Sequence, residues 1–312
     1  MVAESWLNNS ATNETRGQAL SLYVIVQMVG IVVAQSIINL ADPAGWTLFV
    51  LMSVAVSVAF LPILLDVSPA PMFETTKPMS LSELYQVSPL GMVGIFFLGT
   101  IFSALFGMGS VYGTERGLSV TDISIFMGAI FVGGMILQYP IGWVSDRMDR
   151  RRLIIGITGL GAISMVLGAF MTESRWVVFG LAFLAGGLAN PLYSLLIAYT
   201  NDFLEHEDMA AASGGLIFAN GVGAVSGPFL VGLVMNAFGA DSYFLFIAVI
   251  MALVAGYGLY RMTQRPAPSV EDTSAYAQIA PQASPVAIEV AQEVAIEMAL
   301  EEEAAQEDLP AS

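Results

Sequence analysis

Apolar residues run along this chain in long blocks separated by short polar stretches. A bilayer-spanning helix needs about 20 mostly apolar residues, and eight blocks meet that length: Ala19–Leu40, Trp46–Leu65, Pro89–Tyr112, Thr121–Trp143, Arg152–Met171, Arg175–Thr200, Met209–Phe238 and Ser242–Met262. Pro43 and Gly45 mark a tight turn between the first two. Asp66–Val87 is polar and proline-bearing and reads as a linker. After Arg265 the pattern stops. Pro266–Ser284 is rich in Pro, Ala and Ser, as in an unstructured linker. Pro285–Asp308 then repeats Glu289, Glu293, Glu297 and Glu301 at the spacing of one helix face. Like charges four apart destabilise an isolated helix, so a partner-binding helix and a solvated tail both fit.

One stretch fixes the sidedness of these blocks. Gly142–Arg152 (GWVSDRMDRRR) holds four of the ten basic residues, Arg147, Arg150, Arg151 and Arg152. An arginine at a bilayer centre costs roughly 2.5–3.5 kcal/mol on insertion scales, and short Lys/Arg-rich loops stay in the cytoplasm. The stretch is therefore a cytoplasmic loop. Counting outward from it puts both termini, Asp66–Val87 and Asn201–Asp208 on the same side. The opposite loops hold Arg116 alone as a base, with Arg175 at a helix edge.

Composition agrees and excludes several chemistries. The 312 residues are 56% hydrophobic and 12% charged, against about 25% charged in an average globular chain. This is an all-α polytopic membrane protein. With no Cys and one His, a Cys/His metal site and structural disulfides are ruled out. The net charge of −16 is concentrated in the tail, so it is no steering field for the membrane part. There is no G-x-x-x-x-G-K-[ST] motif and only one lysine, Lys77, which argues against an ATP-driven or retinal-type pump.

Shifting the chain by 193 residues brings Gln27 onto Asn220, Val29-Gly30 onto Val222-Gly223, and Asn8-Asn9 onto Asn201-Asp202. Identity is weak, but the layout of loop, amide-bearing helix, tight turn and last helix recurs, as in transporters built from parallel repeats. On this layout the last six blocks form a complete unit, and the first two match only its final pair. Four further helices are then expected before Glu4. Within the blocks no charge lies near a midplane, and Gln27, Asn190, Tyr193 and Asn220 are the candidates for a substrate path. The alternative is helix-to-helix hydrogen bonding, worth about 0.6 kcal/mol each.

The pattern Gly142-x-x-x-Asp146-Arg147-x-x-Arg150-Arg151 resembles the signature loop of the major facilitator superfamily, with Asp149 departing from the family's Gly. Gly223-x-x-Ser226-Gly227-Pro228 is similar to its Gly-Pro helix, and Glu4-Ser5-Trp6-Leu7-Asn8 with Arg16-Gly17 resembles the YcaD-like branch. The resemblance covers roughly Glu4–Arg265. It implies a major facilitator fold: a complete C-terminal six-helix half (88–265) joined by the 66–87 linker to the last two helices of the N-terminal half (1–65), followed by an acidic tail (266–312). The first four family helices are then absent.

For the loop itself, Gly142 permits close helix approach. Asp146 can accept hydrogen bonds from a helix N-terminus, and the resemblance places that end near Met209–Ala211. Arg147, Arg150 and Arg151 are expected to tie the inner loops together, although positive charge also serves topology alone. Asp202 and Glu205, in an acidic loop on the same side, are the expected partners in an ion-pair latch. The leading reading is a secondary transporter of a small solute in the cell's inner membrane, working by alternating access, with no cofactor and no nucleic-acid partner. Its partners are the substrate and the bilayer, with the missing N-terminal helices or a second copy as further candidates. The rival is a truncated, non-transporting membrane protein acting through its acidic tail. Exposed apolar faces on the first two helices favour that rival.

Overall fold

The computed structural model describes residues 13–65, 79–204 and 206–264. Every regular element among them is helical. They are α1 (Asn13–Ile37), a short 3₁₀ turn (Ile38–Leu40), α2 (Thr47–Leu65), α3 (Leu81–Val87), α4 (Pro89–Phe102), a π-helical turn (Ser103–Gly107), α5 (Met108–Glu115), α6 (Val120–Ser145), α7 (Arg150–Ala169), α8 (Arg175–Asn201), α9 (His206–Phe238) and α10 (Ser242–Met262). The starts follow local chemistry. Ser80 and Glu83 form a reciprocal capping box at α3, with Ser80 N–H donating to Glu83 Oε2 at 2.9 Å. Pro89 opens α4 at the position where its missing N–H costs nothing. The Ser119 and Asp149 side chains accept from backbone N–H groups in the first turns of α6 and α7. Gly239, at φ +86, closes α9.

Among the described residues six helical stretches are long and apolar enough to cross a membrane: Pro89–Glu115, Val120–Ser145, Arg150–Ala169, Arg175–Asn201, Ala211–Phe238 and Ser242–Met262. They pack as a bundle through three helix pairs, α4 with α9, α6 with α8, and α7 with α10. Lipid tails are as apolar as leucine, so hydrophobicity alone does not hold such pairs together, and close backbone approach matters more. Glycines provide it. A Cβ on Gly223 would lie 1.9 Å from the Phe96 carbonyl, and one on Gly99 would lie 2.0 Å from that of Asn220. The α6–α8 pair repeats the device: a Cβ on Gly133 or Gly186 would meet the Phe183 or Ile130 carbonyl at 2.0 Å. Helix α8 runs through the middle of the unit, and its residues from Ala185 to Asn201 are all buried.

Two expectations need correction. The expected 66–87 linker contains α3, whose capping box and buried Leu84 seat it under the bundle. The third apolar block is interrupted by the π-turn, beside which α9 presents Gly227 and Pro228. The first two blocks form helices as expected, α1 with 25 residues and α2 with 19. Helix α1 packs along α6. Helix α2 stands away from the other described helices, with Phe49, Met52 and Leu64 more than 60% exposed.

The crossings make a clear stability prediction. Gly223→Leu or Gly186→Leu forces paired backbones apart, at about 1–3 kcal/mol or more. Gly156→Leu, where an added Cβ meets nothing within 4 Å, leaves stability unchanged. Thermal unfolding of the purified variants in detergent checks both; equal melting temperatures for Gly223→Leu and Gly156→Leu would show that the crossings are not close-packed.

Candidate functional site

The chemistry of the chain gathers at the bundle end that carries the Gly142–Arg152 loop. Helices α6, α8 and α10 all finish there, and α7 begins there. A helix C-terminus leaves carbonyls unpaired and carries partial negative charge. Each of three arginines takes one of these ends. Arg147 donates to the Trp143 carbonyl of α6 at 2.9 Å and lies over the Trp143 ring, 4.2 Å from its centroid. Arg150 reaches the Ala198 carbonyl of α8 at 3.4 Å. Arg151 reaches the Arg261 carbonyl of α10 at 3.4 Å, with its guanidinium 5.9 Å from the Tyr199 ring centroid.

The same arginines crowd the N-terminus of α7, the wrong helix end for positive charge. Carboxylates offset this. Asp149 caps α7 by accepting from Arg151 N–H at 2.8 Å, and it lies 3.7 Å from the exposed Arg152. Asp146 lies 3.7 Å from Arg150. Asp202, the residue that ends α8, forms an ion pair with Arg150 in which both side chains are almost wholly buried, at 1% and 2% exposure. Arg150 Nε also donates to Ser145 Oγ at 3.2 Å. The guanidinium thus has a carboxylate, a hydroxyl and a helix-end carbonyl around it, which a buried charge requires.

The expected site residues fall as follows. Gly142 is buried in the last turns of α6, and its carbonyl accepts from Asp146 N–H at 3.2 Å. Arg150 and Asp202 meet, and both belong to the six-helix unit. Glu205 lies outside the described residues. Arg147 turns back onto its own helix instead of tying loops together, because the Trp143 carbonyl and ring are within its reach. At the start of α9 the Ala211 carbonyl accepts from Met79 N–H at 3.0 Å, and α9 packs along α4.

The substrate-path candidates divide. Asn190 is buried, donates to the Gly186 carbonyl of its own helix at 2.8 Å and lies against Gly134 of α6. Tyr193 is buried one turn on, beside Phe102. Asn220 crosses from α9 to the Ile95 carbonyl of α4 at 3.2 Å. Gln27 is half-buried on α1. Asn190 and Asn220 thus serve helix contacts.

Two polar sites escaped the sequence reading. At the far end of the bundle, Arg116 pairs with Asp241 at 2.9 Å and donates to the Thr172 carbonyl at 2.7 Å, while Thr172 Oγ1 donates to Asp241 at 2.7 Å. Three interhelical connections are joined by these bonds. The signal was available, since Arg116 is the single base of those loops. Also at the far end, Ser124 of α6 donates to the Gln35 carbonyl of α1, and Asn39 Nδ2 donates to Ser124 Oγ at 3.0 Å. A lone serine in an apolar block gave no signal.

A membrane bundle whose signature loop places arginines on helix ends defines a class, and comparison with known proteins names it. The profile of the Major Facilitator Superfamily matches residues 91–294, and the chain belongs to that family. It is an integral membrane protein. It is similar to the proteins named "Uncharacterized MFS-type transporter YcaD" of Escherichia coli O9:H4 (strain HS) and of E. coli O157:H7 (strain EC4115 / EHEC). To each it is 25% identical over 254 residues, 80% of this chain and 64% of the relative. The protein of the same name from Escherichia fergusonii is 23% identical over 253 residues. The chain thus spans about 64% of the length of the curated relatives it matches.

Breaking a buried ion pair by removing one partner costs about 3–5 kcal/mol. Arg150→Ala and Asp202→Ala are each expected to destabilise the chain by that amount, and Arg152→Ala to leave it nearly unchanged. Denaturation in detergent measures this, and equal effects of Arg150→Ala and Arg152→Ala would mean the buried pair contributes nothing.

Proposed function

We propose that the chain acts as a secondary transporter of a small solute by alternating access, in the inner membrane, with the arginine end and both termini in the cytoplasm. The family and the YcaD-type relatives support transport. The excess of arginine at one end supports the orientation.

The observation that carries the reading is the seam between α1 and the six-helix unit. It is sealed at its far end by Ser124, which bonds Gln35 of α1 and Asn39 of the 3₁₀ turn that follows it. Alternating access needs such a seam, closed at one end while the solute leaves by the other. In this reading the Arg150–Asp202 pair keeps the end of α8 and the α6–α7 loop moving as one body. The far-end bonds of Arg116 do the same for the opposite loops, so the bundle rocks without deforming. The non-transporting reading is favoured by α2, whose side chains from Phe49 to Leu61 are exposed.

The test is a reversible lock. The chain has no cysteine, so Asn39→Cys with Ser124→Cys introduces one pair. Proteoliposomes are loaded from a cell extract and compared with empty liposomes by mass spectrometry. At least one solute should accumulate in a protein-dependent way, stop on oxidation of the pair and resume on reduction. Charge reversal at Asp202 should reduce the same accumulation at least tenfold. If no solute accumulates with the unmodified chain, the non-transporting reading replaces this one.

A further inference from the structure

The π-turn Ser103–Gly107 interrupts the span Pro89–Glu115 near its middle, after the 14 residues of α4, which rise about 21 Å. π-turns are frequent at functional sites. This one carries Phe106. Its ring stacks on Phe131 of α6, with centroids 4.9 Å apart and planes 14° apart, and on Phe102 at 5.6 Å. Phe102 in turn meets Tyr193 of α8 at 6.2 Å. A ladder of four rings therefore crosses three spans. Its inner rungs, Phe102 and Tyr193, are buried, whereas Phe106 and Phe131 are half-buried.

The open end of the ladder has a direction. Ser124, Gly128 and Phe131 are spaced four and three residues apart and so share one face of α6. Ser124 bonds α1 on that face. Phe131 therefore lies on the seam that Ser124 seals, two turns further into the membrane. Space adjoins it: a Cβ on Gly128 would meet nothing within 4 Å, and one on Gly107 would meet only Pro228 Cγ, at 3.9 Å. Charge decides what fits. No charged residue lies between Leu90 and Thr114, between Ile123 and Ser145, or between Trp176 and Asn201. An ion placed here would lose its hydration without a partner, whereas an aromatic ring gains an offset-stacked or edge-on neighbour.

We infer that the seam beside Phe106 and Phe131, just inward of the Ser124 seal, is a binding pocket for a small uncharged aromatic solute. This names a substrate class for the transport reading above and rests on it. Phe131→Cys supplies the sole thiol in an otherwise cysteine-free chain. In proteoliposomes it should react with N-phenylmaleimide, which is neutral and aromatic, at least tenfold faster than with a sulfonate-bearing methanethiosulfonate. Millimolar indole should slow that reaction several-fold. Phe229→Cys, on a 72% exposed position of α9, should react without protection by indole. Indole should also raise the melting temperature of the unmodified chain in detergent, a rise lost in Phe106→Ala. Absence of protection at residue 131, equal protection at residue 229, or no rise in melting temperature overturns the pocket. Protection without indole flux keeps the pocket and removes the transport reading. Flux of other solutes without protection keeps transport and removes the pocket.

Discussion

The arginine end depends on one electrostatic requirement: helices that finish in a common plane present unpaired carbonyls and partial negative charge together. Helices α6, α8 and α10 finish this way, and Arg147, Arg150 and Arg151 each take one of them. The same arginines are unfavourable at the start of α7, so Asp146, Asp149 and Asp202 accompany them. Positive charge that marks the side of the membrane also completes the ends of the helices. Topology and stability are thus carried by the same side chains.

Within the membrane the forces differ. Three helix pairs meet where glycine lets one backbone touch another, and α8 is buried by its neighbours along its inner length. Amides that look like ligand groups in the sequence are drawn into this packing, as Asn190 and Asn220 are. The aromatic ladder is the exception. It begins in the core at Tyr193 and ends half-exposed at Phe131, where the six-helix unit meets α1.

The fold was largely legible because bilayer physics imposes a strong period: six of the eight apolar blocks are full spans, with ends close to those expected. The loop arginines were legible because charge in an apolar sequence has few places to go. Helix α3 was missed because its short amphipathic pattern is hidden in polar surroundings. The π-turn was missed because no residue type encodes an extra residue in a turn; it lies where Gly227 of α9 lets that helix come close to Ser103. Ser124 gave no sign because its bond depends on how α1 lies against α6.

That bond has a consequence for inheritance. On the α1 side the acceptor is the Gln35 main-chain carbonyl, which lies in the last turn of its helix. Any amino acid at position 35 supplies the same oxygen. The seal is therefore written in letters on α6 but mainly in shape on α1, so mutation erodes the two sides of the seam at different rates. Substitution at residue 35 is expected to keep the bond, whereas substitution at residue 124 removes its donor.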